Sequence, residues 1–171
     1  MKYQMLVLDL DGTLTNSKKE ITEPTRKALL EIQKEGKIVV LASGRPINGV
    51  APLADILEME KYGGYMLSFN GARITRCSTG EIVYNPTLPP SVIRPIYETV
   101  KTYPGVDIIS YTDTEILSGI CSNEYTEKEK FINNMKIVPV ADFPDALDFP
   151  VNKLLLPGPP ELLEEIMPRL K

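Results

Sequence analysis

Short apolar runs alternate with longer stretches of helical period through the first half of the chain. Residues 5–8 and 38–41 are unbroken apolar runs bounded by polar or turn-forming residues, which predicts two buried strands. Between them Ala28, Leu29 and Ile32 share one face of a helix that Thr22 can cap, with Pro24 in the first turn and Gly36 as the stop. Strand, helix and strand in that order make a βαβ unit, whose strands run parallel. A second helical stretch follows Pro46 and is expected to break or bend at Pro52, and residues 65–69 then read as a third strand. Asn70-Gly71 and Ser78-Thr79-Gly80 carry turn chemistry and predict a small hairpin region.

The second half has a different rhythm. Val92, Ile93, Ile96, Tyr97 and Val100 form a helical face despite Pro95, and strands are expected at residues 106–110 and 115–120. Residues 124–135 read as a helix with Phe131, Ile132 and Met135 inward and a Glu124/Lys128 pair outward. Further strands at 137–140 and 151–156 precede a last helix over 159–170, where Leu162, Leu163, Ile166, Met167 and Leu170 make an apolar stripe. No internal repeat is present.

Composition places a boundary between the halves. Residues 1–80 hold 3 of the 15 prolines but 8 of the 11 glycines, and net charge shifts from +1 over residues 1–84 to −5 over 85–171. The proline-rich stretch 85–90 is therefore the expected linker. The overall charge of −4 offers no electrostatic footprint for nucleic acid or an anionic membrane surface. Neither a signal segment nor a run long enough to span a membrane is visible, and the expected location is the cytoplasm. Histidine is absent, which removes Ser-His-Asp triads, Cys-His pairs and imidazole bases and leaves acid-base chemistry to carboxylates. Cys77 and Cys121 lie far apart without a CxxC, so zinc, redox and disulfide readings lack support.

The chemistry concentrates after the first two predicted strands. In Asp9-Leu10-Asp11-Gly12-Thr13-Leu14, two carboxylates two residues apart point to the same side of an extended chain, at the strand end where open α/β sheets place ligands. Such a pair repels unless a proton or cation intervenes, and hard oxygen donors beside a phosphate suit Mg²⁺. Asp9 could then attack phosphorus to give an aspartyl-phosphate, with Asp11 protonating the leaving oxygen and later activating water. The bland alternative is a pair of solvated acids in a common Asp-Gly turn. Ser43-Gly44-Arg45-Pro46 follows the second strand: the Ser43 hydroxyl and Gly44 N–H suit a phosphate oxygen and Arg45 adds a cation, although Ser and Pro also open helices for capping reasons alone.

On these motifs the chain resembles the haloacid dehalogenase (HAD) superfamily, and within it the Cof-type sugar-phosphate phosphatases with a large inserted cap. The resemblance covers residues 1–171. Asp9 and Asp11 match the nucleophile and acid/base of a DxDGT motif, Ser43 with Gly44 matches the phosphate-holding second motif, and Ser68-Phe69-Asn70-Gly71-Ala72 is similar to the NGA segment before the cap. An acid at position 11 argues for phosphoryl transfer over carbon-halogen cleavage, because true dehalogenases of the family lack it. The resemblance implies an α/β fold with a Rossmann-like parallel-sheet core over 1–84, incomplete here, a linker at 85–90 and an inserted α+β cap domain of C2 type over 91–171. It implies a Mg²⁺-dependent phosphatase of small phosphate esters, with Asp9 and Asp11 as catalytic residues and metal ligands. Leu10, Ser43 and Gly44 would hold the phosphate, and Arg45 and Asn70 would touch substrate.

The chain departs from that family pattern by ending before a lysine-bearing third motif and an acidic fourth. Lys153 is followed by Leu154-Leu155-Leu156 rather than by a glycine and a helix, and reads as a cap residue. The expectation is an N-terminal portion of a longer phosphatase, whose strand at 5–8 faces an open edge able to support self-association. A non-catalytic binding module and a phosphomutase or phosphotransferase on the same scaffold remain open alternatives. Asp142, Asp145 and Asp148 read as solvated loop acids, Arg73 and Arg76 as surface residues, and Tyr97, Tyr103, Tyr111 and Tyr125 as packing aromatics, with Tyr111 and Asp113 favoured as cap loop residues.

Overall fold

The computed structural model describes residues 3–170 and divides into two compact units, the first ending at Pro86 and the second beginning at Thr87. In the first unit, β1 (Met5–Asp9), β2 (Ile38–Ala42), β3 (Tyr65–Ser68), β4 (Arg73–Arg76) and β5 (Ile82–Tyr84) form one sheet in that spatial order. β1, β2 and β3 are parallel, and β4 and β5 return antiparallel as successive hairpins. The parallel crossovers carry α1 (Glu23–Lys34) and then α2 (Ile47–Ile56) with the short α3 (Met59–Tyr62). Val39, Leu41 and Leu57 are fully buried between sheet and helices, each side chain contributing about 1.5–3 kcal/mol. The register sets Asp9 beside Ala42, so the loops leaving β1 and β2 emerge from one end of the sheet.

β1 lies at the edge of this sheet, as the open-edge expectation required, and Met5 and Val7 are 52% and 54% exposed. α1 begins after Thr22, whose side chain meets the Thr25 hydroxyl at 2.9 Å rather than capping the helix. Of its expected face Leu29 is buried and Ile32 packs on the core, whereas Ala28 is exposed and Leu30 and Gln33 are buried instead, Gln33 Nε2 donating to Leu57 O at 2.9 Å. α2 runs through Pro52 without the expected break.

The second unit holds α4 (Pro90–Val100), β6 (Ile109–Tyr111), β7 (Glu115–Ser118), α5 (Glu124–Asn133), β8 (Lys136–Pro139), α6 (Phe143–Ala146) and α7 (Pro160–Ile166). β6 and β7 are antiparallel, β7 and β8 parallel. Tyr97, Val100, Ile108, Leu117, Phe143 and Ile166 fill its core, with Tyr97 and Phe143 stacked at 6.0 Å.

Several expectations for this unit are corrected. Residues 106–108 are buried loop rather than strand, because the Asp107 carboxylate gathers donors there and ladder pairing starts only at Ile109. Residues 151–156 form no strand. Bracketed by Pro150 and Pro157, they pair only through an antiparallel bridge between Ile109 and Leu155. Phe131 is 84% exposed instead of inward, since α5 turns Thr126 and Asn133 to the interior through hydrogen bonds to Asp107 and to Glu129. α5 stops at Asn133 because Asn134 adopts left-handed backbone (φ 51°). The last helix ends at Ile166 and tightens into a 3₁₀ turn over Met167–Arg169 around Pro168, leaving Met167 61% exposed.

Candidate active site

Beyond β1 the chain folds back at Gly12 (φ 85°), and Leu14 N and Thr15 N donate to Asp9 O and Leu10 O at 3.1 and 2.9 Å. The Thr15 hydroxyl also donates to Leu10 O, at 2.8 Å. Leu10, expected to hold phosphate, is wholly buried, and its carbonyl oxygen is taken by Thr15. The turn leaves Asp9 and Asp11 both exposed.

The two carboxylates stand in opposite electrostatic settings. Asp11 accepts from Arg45 Nε at 3.0 Å and from Arg45 Nη2, and its Oδ1 also accepts from Lys19 Nζ at 2.7 Å. The Arg45 guanidinium holds the Asp11 carboxyl below its ordinary value, with partial burial opposing and Lys19 assisting. Asp9, by contrast, makes no side-chain hydrogen bond or ion pair among the described residues. Charge repulsion at Asp11 is thus met by two cations of the chain itself.

The β2 loop supplies the rest of the site. Ser43 is buried, its N donates to Leu67 O at 2.9 Å, and its hydroxyl accepts from Arg45 N at 3.2 Å. Asn70 and Phe69 donate their backbone N–H groups to Ser43 O and Arg45 O at 3.0 and 2.9 Å. Of the residues anticipated from sequence, Asp11 and Arg45 are joined directly, and Ser43, Gly44 and Asn70 form one cluster beside them.

Among the described residues no group of three or more acidic or thiol side chains gathers as a ready cation cage. Two carboxylates with Asp9 unengaged nevertheless suit Mg²⁺, which retains waters and takes only one or two carboxylates alongside a substrate phosphate.

A family model described as haloacid dehalogenase-like hydrolase matches residues 6–171. The chain belongs to that family. A solved haloacid dehalogenase-like hydrolase from Bacteroides thetaiotaomicron is 41% identical, with TM-score 0.92 over 99% of this chain and 63% of its own. YxeH of Bacillus subtilis (strain 168), which carries a provisional phosphatase name, is 36% identical over 96 residues, covering 56% of this chain and 36% of the relative. The HAD subclass IIB sugar phosphatase BT4131 is 21% identical with TM-score 0.76, over 98% of this chain and 63% of its own, and shares the fold. The chain thus spans about a third of that curated relative's length and under two thirds of those solved structures.

Lys19, which contacts Asp11, is the residue of this candidate site that sequence reasoning overlooked. Asn16 Oδ1 accepts from Lys18 N and Glu20 N at 2.8 and 3.1 Å, and the resulting turn holds Lys19 in left-handed backbone (φ 63°) beside Asp11. An Asx-type turn at Asn16 was the available signal. Arg73 and Arg76 lie over the Phe69 and Tyr65 rings at 5.4 and 5.8 Å and also contact Asn85 and Glu81.

Proposed function

We propose that this chain carries the nucleophile and phosphate-binding parts of a phosphatase acting on small phosphorylated metabolites, sugar phosphates foremost, with the second unit as its cap domain. The observation that carries the reading is a contrast: an exposed Asp9 without a side-chain partner among the described residues, two positions from an Asp11 held by Arg45 and Lys19. An unengaged carboxylate is available to attack phosphorus. The P–O bond to the leaving alcohol breaks as the Asp9–P bond forms, and water then cleaves the aspartyl-phosphate to return the carboxylate and release phosphate. Asp11, kept ionised by its cations, suits the second half, taking the proton of the attacking water. Protonation of an alkoxide leaving group needs Asp11 in its acid form, so a phenolate leaving group, stable without a proton, places the lighter demand on it.

Ser43 and Gly44 would hold the phosphoryl oxygens. Asp9 and, on release of Arg45 or Lys19 from one of its oxygens, Asp11 would hold Mg²⁺, which would supply Lewis-acid polarisation of the phosphoryl group. Support comes from the family membership and from the sugar phosphatase with the same fold. Among the described residues no helix is long and apolar enough to cross a membrane, and a cytoplasmic location is part of this proposal.

The test is hydrolysis of p-nitrophenyl phosphate with and without Mg²⁺, together with binding of beryllium fluoride, a phosphoryl mimic that needs a free carboxylate and a cation. Metal-dependent turnover or fluoride binding is the expected result. Loss of both under every divalent metal, in this chain and in a version extended through its natural reading frame alike, would overturn the phosphatase reading in favour of a binding module.

A further inference from the structure

The Asn70-Gly71 pair accounts for only part of the backbone between β3 and β4. Asn70 (φ 59°, ψ 33°) and Gly71 (φ 87°) take the left-handed values of a type I′ turn, and Ala72 N donates to Phe69 O at 3.2 Å. Phe69 lies outside the central pair yet also has φ 54°, which a bulky aromatic residue adopts only against steric resistance. The strand pairing does not demand it, since Ser68 and Arg73 are already in register.

What the strained residue accomplishes is directional. Consecutive N–H groups of Phe69 and Asn70 point away from their own hairpin and onto Arg45 O and Ser43 O, at 2.9 and 3.0 Å. The Phe69 ring is buried beneath the Arg73 guanidinium, which fixes the residue in this conformation. Between those two hydrogen bonds the Asn70 side chain sits against Gly44, where an added Cβ would lie 2.6 Å from Asn70 Oδ1. Each residue of the Ser43-Gly44-Arg45 turn is therefore gripped by the Phe69-Asn70 pair.

We propose that Phe69 and Asn70 are positioning residues that hold the Ser43–Gly44 donors in the geometry a phosphate requires, and that Asn70 acts through Gly44 rather than on the substrate. The inference rests on the phosphate-binding reading of that turn. Strain held in place by surrounding contacts is a recognised means of preorganising a site, and a donor fixed before binding loses little freedom on binding.

The experiment uses the full chain with Asn70→Gly, which keeps the turn geometry, Gly44→Ala, which displaces the same amide, and the double variant. Hydrogen exchange is followed without ligand, and inorganic phosphate affinity and p-nitrophenyl phosphate kinetics are measured in parallel. Asn70→Gly should speed exchange at residues 43–45 and weaken phosphate about tenfold, with KM rising to match, kcat held within about twofold and the melting temperature unchanged. Because both substitutions remove one contact, the double variant should be no worse than the poorer single one. Unchanged exchange at 43–45, multiplicative losses, or a fall in kcat at constant KM would each overturn the proposal. If the unaltered chain neither binds phosphate nor turns over, the proposed function fails, while the ligand-free exchange still decides the positioning role.

Discussion

Asp107 in the second unit and Asp9 in the first show two fates of an aspartate next to an apolar strand. Asp107 is fully buried and accepts five hydrogen bonds from neutral donors: Ile108 N, Ile120 N and Cys121 N on Oδ1, and the Ser118 and Thr126 hydroxyls on Oδ2. It ties β6, β7 and the start of α5 together. Asp9 is exposed, accepts nothing through its side chain from the described residues, and ties nothing. A carboxylate saturated by its own fold has no valence left for a ligand, whereas one left open at a sheet end costs the fold nothing and keeps its charge available. The same residue type is thus cement in one unit and a candidate reagent in the other.

The sharpest break of this contrast is Asp9→Asn. Removing the attacking oxygen's charge should lower p-nitrophenyl phosphate turnover by on the order of 10³-fold or more. Stability should stay within about 0.5 kcal/mol, since an exposed, unpartnered side chain is replaced. Turnover comparable to the parent would contradict the nucleophile assignment, and a marked loss of stability would show that Asp9 is structural after all.

Asp107→Ala should do the reverse. All five donors lose their acceptor inside the second unit, and an unfolding free-energy loss of about 3 kcal/mol or more is expected, read from urea titration. Binding of beryllium fluoride under conditions where both units remain folded should be unchanged. A loss below about 1 kcal/mol would mean that water replaces the carboxylate, and the comparison would weaken accordingly.

The legible and illegible parts of the chain divide along the same line. The βαβ crossover and the place of Asp9 and Asp11 at the end of β1 were readable because parallel strands are unbroken apolar runs and the two acids follow directly upon one. The Asn-Gly hairpin was readable because that pair favours the consecutive left-handed residues of a tight turn. In the second unit the apolar pattern misled wherever a polar anchor set the phase. Thr126 and Asn133 turned α5 so that Phe131 faces outward, and Asp107 delayed β6 by three residues. Lys19 was missed because its place depends on an Asn16 side chain folding back on the backbone. Asp142, expected in a solvated loop, instead caps α6 and pairs with Arg94, another local polar bond that periodicity does not register.

The two cysteines sharpen the comparison most gently, one in each unit. Burial, with the Asp55 charge assisting, pushes the Cys77 thiol up to about 11, whereas Cys121 is exposed beside Asp107's donors. Since the thiolate is the reactive form, at pH 8 only about one Cys77 in 10³ is ionised, and an alkylating reagent should modify Cys121 first. Raising the pH toward 11 should bring Cys77 into reaction in the folded protein; reaction only after denaturant would mean that access rather than ionisation limits it. In Asp107→Ala under mild urea, Cys121 should label faster while Cys77 keeps its parent rate. Parallel acceleration of both would show that the buried carboxylate of the second unit also supports the first, and that cement and reagent are not separately housed.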